Sequence, residues 1–200
     1  MDSCFEPMIW PEDKLPKEAA DYKKCEICTE RSRVIWGEGN SNAPVVIILD
    51  NPGAREDRYG SEYVCGTRQT LQAALHRVNL TPDDIYLTYL LKCRPLRRYQ
   101  KDEVRAFSKP FLIQQIKTLH PKFIVCLGDT VVQTMFDDHE AHVKSMRGLW
   151  HVVLGYPCMV SYHPLAVRRR PNLACQFMED WDMLAQRLFG ADNCNKQLLR

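Results

Sequence analysis

An α/β fold, with a mainly parallel sheet covered by helices on both faces, is predicted by three features of this 200-residue chain. Short runs of uniformly apolar residues recur, stretches with helical apolar spacing separate them, and the runs end in turn-forming or polar residues. Val45-Val46-Ile47-Ile48-Leu49, Ile85-Tyr86-Leu87-Thr88-Tyr89-Leu90-Leu91 and Phe123-Ile124-Val125-Cys126-Leu127 show no polar–apolar alternation. A strand that is apolar on both faces belongs between two layers, as in a parallel sheet.

Residues 1–16 carry Pro7, Pro11 and Pro16 without a clear period and read as an extended N-terminal arm. A single domain is expected over 17–190, with a C-terminal tail over 191–200. Residues 17–24 look helical and deliver Cys25-Glu26-Ile27-Cys28, after which Gly37, Gly39, Asn40 and Asn42 mark a loop before the strand at 45–50. Leu71, Ala74, Leu75 and Val78 recur at helical spacing, predicting a helix over 67–78. Thr81-Pro82-Asp83-Asp84 then turns the chain into the strand at 85–91. A helix follows over 101–119, and Pro110 predicts a break between two shorter helices, because proline lacks the backbone donor and crowds the preceding turn. The strand at 123–128 leads into a short helix over 129–136, strands follow at 151–154 and 158–162, and a closing helix spans 173–189.

Bulk properties exclude several classes. With 45% hydrophobic and 26% charged residues the composition is that of an ordinary globular protein, and no apolar run of ~18 residues is available to cross a bilayer. The first ten residues lack the basic start and apolar core of a secretory signal, so an intracellular protein is expected. Nine cysteines in such a chain point to metal ligands and buried thiols rather than a disulfide framework. A formal net charge of +2 gives no general attraction to nucleic acid. Local clusters matter more: Lys92, Arg94, Arg97, Arg98 and Lys101, and then Arg168, Arg169 and Arg170, suit phosphate contacts.

Ligands of parallel α/β sheets bind at the carboxyl ends of the strands. Asp50-Asn51, Tyr89, Gly128 and His163 all fall at predicted strand ends. In Ser161-Tyr162-His163-Pro164-Leu165-Ala166-Val167-Arg168-Arg169-Arg170 a histidine ends an apolar strand and three arginines follow it. That order suggests a polar catalytic group beside a phosphate-binding edge.

Three segments also resemble the iron–sulfur uracil-DNA glycosylases, often called family 4. Pro52-Gly53, Glu56-Asp57, Gly60, Val64 and Gly66 match that family's first motif; Thr88, Lys92, Cys93, Arg94 and Pro95 match its Thr-Asn-Val-Val-Lys-Cys-Arg-Pro segment; and 161–171 resembles its Thr-Tyr-His-Pro motif. The similarity extends over about residues 25–189. It implies a three-layer α/β/α sandwich around a central four-stranded parallel sheet, and a monofunctional hydrolase that flips uracil out of DNA and cleaves its N-glycosidic bond, leaving an abasic site for base excision repair. The implied partner is DNA carrying uracil or a related lesion, with no membrane association. The implied state is a monomer, and the implied location is the cytoplasm at the nucleoid.

By the same resemblance His163 hydrogen-bonds the developing uracil oxyanion, while Asp50 or Asn51 orients the attacking water. Asp50 stands where the family has Glu, and mismatch-specific relatives use an Asn at the Asn51 position. Pro52 and Gly53 shape the substrate turn, Tyr63 takes the place of a Phe that stacks on the base, and Arg168, Arg169 and Arg170 hold DNA phosphates. Cys25, Cys28 and Cys93 match three ligands of an iron–sulfur cluster of the 4Fe–4S type.

Two departures stand out. Tyr89 occupies the position of an Asn that reads the edge of uracil, and a phenol cannot both accept and donate as that amide does. Another side chain then reads the base, the substrate is another lesion such as hypoxanthine or a modified pyrimidine, or Tyr89 fills the pocket of a weak, DNA-binding relative. Ser108 occupies the fourth ligand position, which leaves three alternatives: a cluster with a non-cysteine ligand, one completed by Cys4, or none. The loop 95–102 contains no His, so the covalent product trapping of one branch of the superfamily is not expected.

Overall fold

The computed structural model describes residues 5–28, 33–59, 64–96 and 98–197. Its elements run β1 (Gly37–Gly39), β2 (Val45–Leu49), α1 (Ala54–Tyr59), α2 (Gly66–Arg77), β3 (Ile85–Tyr89), α3 (Lys101–Leu119), β4 (Phe123–Leu127), α4 (Asp129–Phe136), α5 (Val143–Met146), β5 (Trp150–Val153), β6 (Tyr156–Ser161), α6 (Pro164–Arg169) and α7 (Ala174–Gln197). The strands form one sheet in the order β1-β3-β2-β4-β6-β5. Its centre, β3-β2-β4-β6, is the expected set of four parallel strands. Two antiparallel strands, β1 on β3 and β5 on β6, widen it at the edges.

Every residue of β2, β3 and β4 is buried, which explains why their sequences do not alternate. The pleat splits them between two cores. Val46, Ile48, Ile124, Cys126 and Val160 join Leu112 and Ile116 of α3 and Val131 and Val132 of α4 on one face. Val45, Ile47, Leu87, Val125 and Met159 join Leu71 and Leu75 of α2 and Phe177, Trp181 and Leu184 of α7 on the other. Each fully buried aliphatic side chain contributes roughly 1.5–3 kcal/mol relative to leaving it in water, so this alternation fixes strand register strongly.

Four local expectations differ from the structure. α3 is one helix of 19 residues through Pro110. Pro110 and Ala106 are both exposed, so water can satisfy the carbonyl that loses its donor. The segment read as a loop at 37–39 is strand β1, where Gly37 lies so close to the Tyr86 ring that a Cβ would collide with it. Residues 17–24 are helical, but of the tighter 3-10 form. The N-terminal arm is packed: Trp10 is buried, Glu12 bridges to Glu38, and the Met8 backbone exchanges two hydrogen bonds with the Gln72 amide.

Candidate active site

The parallel ladder carries two loops to the same edge. Leu90 and Leu91 donate their N–H groups to Leu49 and Asp50, which extends the β2–β3 pairing by two steps and fixes the start of the 50–53 turn. In that turn the Asn51 N–H donates to Asp50 Oδ1 at 2.7 Å, and Asn51 Nδ2 donates to the Pro52 carbonyl at 2.9 Å. On the other side, β6 ends at Ser161, whose hydroxyl donates to Asp180 Oδ2 at 2.6 Å. Asp180 is gripped by Arg147 at 2.8 Å, so α7 is locked to the strand end that presents His163. Burial, partly offset by Ser161 and Arg147, holds the Asp180 carboxyl above its ordinary pKa.

His163 is the N-cap of α6, with Pro164 as the first helical residue. Its Nδ1 accepts the Leu165 N–H at 3.1 Å, so in the neutral ring the proton resides on Nε2. Nε2 is 3.2 Å from Asp50 Oδ1 but lacks in-line hydrogen-bond geometry, which leaves the N–H able to turn to another acceptor. Burial raises the Asp50 pKa, but His163 and the backbone N–H groups of the turn outweigh it and hold the carboxyl below the usual carboxylate range. Gly128 packs behind this pair. Its φ is +92°, and a Cβ there would stand 3.1 Å from His163 Cβ, so both conformation and space call for glycine.

The pair opens into a cleft of about 390 Å³, lined by Leu49, Asp50, Asn51, Gly53, Glu56 and Thr67 on one side and by His163, Leu165, Ala166, Arg169 and Arg170 on the other. Hollows of about 440 and 480 Å³ exist elsewhere, one under the N-terminal arm and one beside the 3-10 helix, but neither reaches the strand ends that gather Asp50 and His163. The sequence-predicted Asp50, Asn51, Gly53, His163, Arg169 and Arg170 thus meet in one place. Arg168 is exposed and lies against Gly66 at the start of α2. Pro52 is buried in the turn and Tyr63 lies outside the described residues.

Tyr89 does not take part in the cleft. It is fully buried, with its hydroxyl 3.3 Å from Arg68 Nη1, and Arg68 is itself ion-paired with buried Glu38. Burial pushes the phenol pKa far up, so it stays neutral. Tyr89 therefore does not line the cleft. Lys92, expected in a surface phosphate-binding patch, is also fully buried: it donates to Thr88 Oγ1 and to Gln115 Oε1 and lies over the Trp36 ring. Desolvation depresses its pKa well below the ordinary value.

Glu56, Thr67 and Leu165 line the cleft without having been singled out from sequence. Glu56 was visible only as part of a motif. It is almost wholly buried, and the Cys65 thiol donates to its Oε1 at 2.9 Å, with burial and this carboxylate together pushing the thiol pKa up to about 11.

Two of the three cysteines expected at a cluster are paired with each other. Cys28 and Cys93 are joined in a disulfide, with their Cα atoms 5.7 Å apart. Cys25 is buried close to Tyr22, and Ser108 Oγ is 2.9 Å from the Tyr22 hydroxyl, which accepts the Lys92 N–H at 2.7 Å. Among the described residues no group of three or more His, Cys, Asp or Glu side chains is arranged to hold a metal ion. Among the described residues, two thiols bonded to each other and a hydroxyl engaged by a phenol do not make the four-thiolate donor set that a 4Fe–4S centre takes, and Cys4, the other candidate ligand, lies outside the described residues.

Comparison with known proteins agrees with the fold and the site motifs. Residues 36–185 match the family described as the uracil DNA glycosylase superfamily. The type-4 uracil-DNA glycosylase of Pyrobaculum aerophilum is 32% identical over 180 residues, covering 85% of this chain and 91% of that protein. The Saccharolobus solfataricus protein of the same name is 30% identical over 186 residues, covering 88% of this chain and 86% of the relative. The Archaeoglobus fulgidus one is 28% identical over 183 residues, covering 87% and 92% respectively. With a matching family profile over most of its length and relatives similar nearly end to end, the chain belongs to the uracil DNA glycosylase superfamily.

Proposed function

We propose that the protein is a monofunctional DNA glycosylase that flips uracil out of DNA and hydrolyses its bond to deoxyribose, leaving an abasic site for base excision repair. The observation that carries this reading is the Asp50–His163 pair, set at 3.2 Å in a cleft rimmed by Arg169 and Arg170. A base must leave the stack before an enzyme can enclose it, which costs a few kcal/mol. Arg168, Arg169 and Arg170 supply phosphate contacts that hold the distorted backbone.

As the glycosidic bond breaks, electrons move onto uracil O2 and positive charge develops on the sugar. The Nε2–H of His163 donates to that oxygen, an interaction worth roughly 3 kcal/mol by analogy with single oxyanion donors. Asp50 stays ionised because His163 and the turn amides favour its charged form. It offsets the sugar's charge, and either it or Asn51 holds the water that adds to C1′. The protein acts where the genome lies, as a monomer; among the described residues no helix is long and apolar enough to cross a membrane.

A second reading, release of hypoxanthine or a modified pyrimidine, is favoured by one observation. Tyr89 is withdrawn from the cleft, so the family's amide reader has no replacement at that position. Single-turnover assays on oligonucleotides carrying one uracil or one hypoxanthine separate the two. Uracil release, with an alkali-labile abasic site and no denaturant-resistant adduct, is expected; release of hypoxanthine with uracil left intact would replace the first reading by the second.

A further inference from the structure

Cys93 lies in the loop between β3 and α3, and Cys28 ends the helical turns that follow the N-terminal arm. Cys93 is fully buried and Cys28 is partly exposed. Beside them the Tyr22 ring is fully buried, edge-on to Trp36 and Phe111 and tilted against Phe107. Its hydroxyl links Ser108 of α3 to the backbone of Lys92, the residue preceding Cys93. Ser108, at the position of the family's fourth ligand, is thus engaged by the Tyr22 phenol and offers a hydroxyl where a 4Fe–4S centre takes a thiolate. A hydroxyl is also a poorer partner than thiolate for soft iron–sulfur chemistry.

We propose that Cys28 and Cys93 form a reversible disulfide staple and that, with the Tyr22–Ser108 pair, it replaces an iron–sulfur cluster, so that the protein is iron-free and its stability responds to thiol redox state. Formation uses a small-molecule disulfide as oxidant. The Cys28 thiolate, the more accessible, attacks one sulfur of that disulfide and releases one thiol. The Cys93 thiolate then attacks the mixed disulfide at Cys28 and releases the second. Two electrons pass to the oxidant, the two cysteine protons end on the two released thiols, and excess dithiol reverses both exchanges. The crosslink closes 65 residues of sequence, restricting the unfolded chain far more than the folded one.

The test uses the full-length protein and does not depend on its glycosylase activity. Protein purified without reductant and then denatured should titrate two fewer thiols than its nine cysteines, and peptide mapping should recover a Cys28–Cys93 crosslink. Anaerobic incubation of the reduced protein with ferrous iron, sulfide and dithiol, followed by desalting, should leave no iron and no absorbance near 400 nm. The oxidised form should melt about 10 °C above the reduced form, a difference that Cys93→Ser abolishes. Stoichiometric iron and sulfide after reconstitution, or nine titratable thiols in protein held with an oxidised small-molecule disulfide, would overturn the proposal. A paired variant, Tyr22→Ala with Ser108→Cys, supplies the missing room and thiolate and should gain iron uptake; equal uptake by the unaltered protein counts against the replacement.

Discussion

At the scale of single residues, the site rests on how two side chains constrain each other. His163 gives one ring nitrogen to the Leu165 N–H and keeps the other for donation, while Asp50 stays charged beside it. The sign of the Asp50 effect is set by its depressed pKa. A carboxyl whose folded-state value lies below its unfolded value of about 3.9 stabilises the fold above about pH 4, and that contribution is lost as pH falls through the folded value. Asp50→Asn is therefore expected to lower the urea midpoint at pH 7, with the gap to the parent protein narrowing as the pH falls below about 4. A gap that stays constant with pH would show that Asp50 acts through packing instead. Both residues were legible in the sequence, because each stands at the end of an apolar strand in a recognisable motif. Tyr89 and Lys92 were not. Their types suggested a cleft and a surface, and only the Arg68–Glu38 pair and the Thr88 and Gln115 acceptors, all but Thr88 contributed by distant segments, explain why both are buried.

At the scale of elements, the strands were legible for a physical reason: full burial on two faces demands apolar runs, and β2, β3 and β4 have them. β1 was hidden because Gly37-Glu38-Gly39 carries turn-forming residues, while the need for Gly37 comes from the Tyr86 ring on the neighbouring strand. The unbroken α3 was hidden because the cost of Pro110 depends on whether Ala106 meets solvent, which composition alone does not tell. Gly128 shows an element boundary serving the site. Gly128→Ala is expected to cost about 1–3 kcal/mol of stability, from the positive φ and the crowding of His163, and to slow base release by displacing that ring. Chemical denaturation and single-turnover rates check the two effects; unchanged values of both would show that Gly128 does not position His163.

At the scale of the whole molecule, the parallel order β3-β2-β4-β6 brings the ends of β2 and β6, far apart in sequence, to one edge with β4 between them. Gly128 follows β4 and leaves room for His163 and Asp50 to meet across that strand. Arg169 of α6 and Arg170 after it sit on the rim of the same cleft, so a nearly neutral protein still offers a local positive edge to phosphates. In this arrangement His163 acts on the departing base and not on DNA binding. The most direct measurement is the single-turnover rate of uracil release by His163→Ala, alongside its affinity for the same uracil-containing oligonucleotide. The rate is expected to fall roughly 100- to 1000-fold with affinity held within about threefold. An unchanged rate, or a loss of affinity large enough to explain the lost rate, would contradict it.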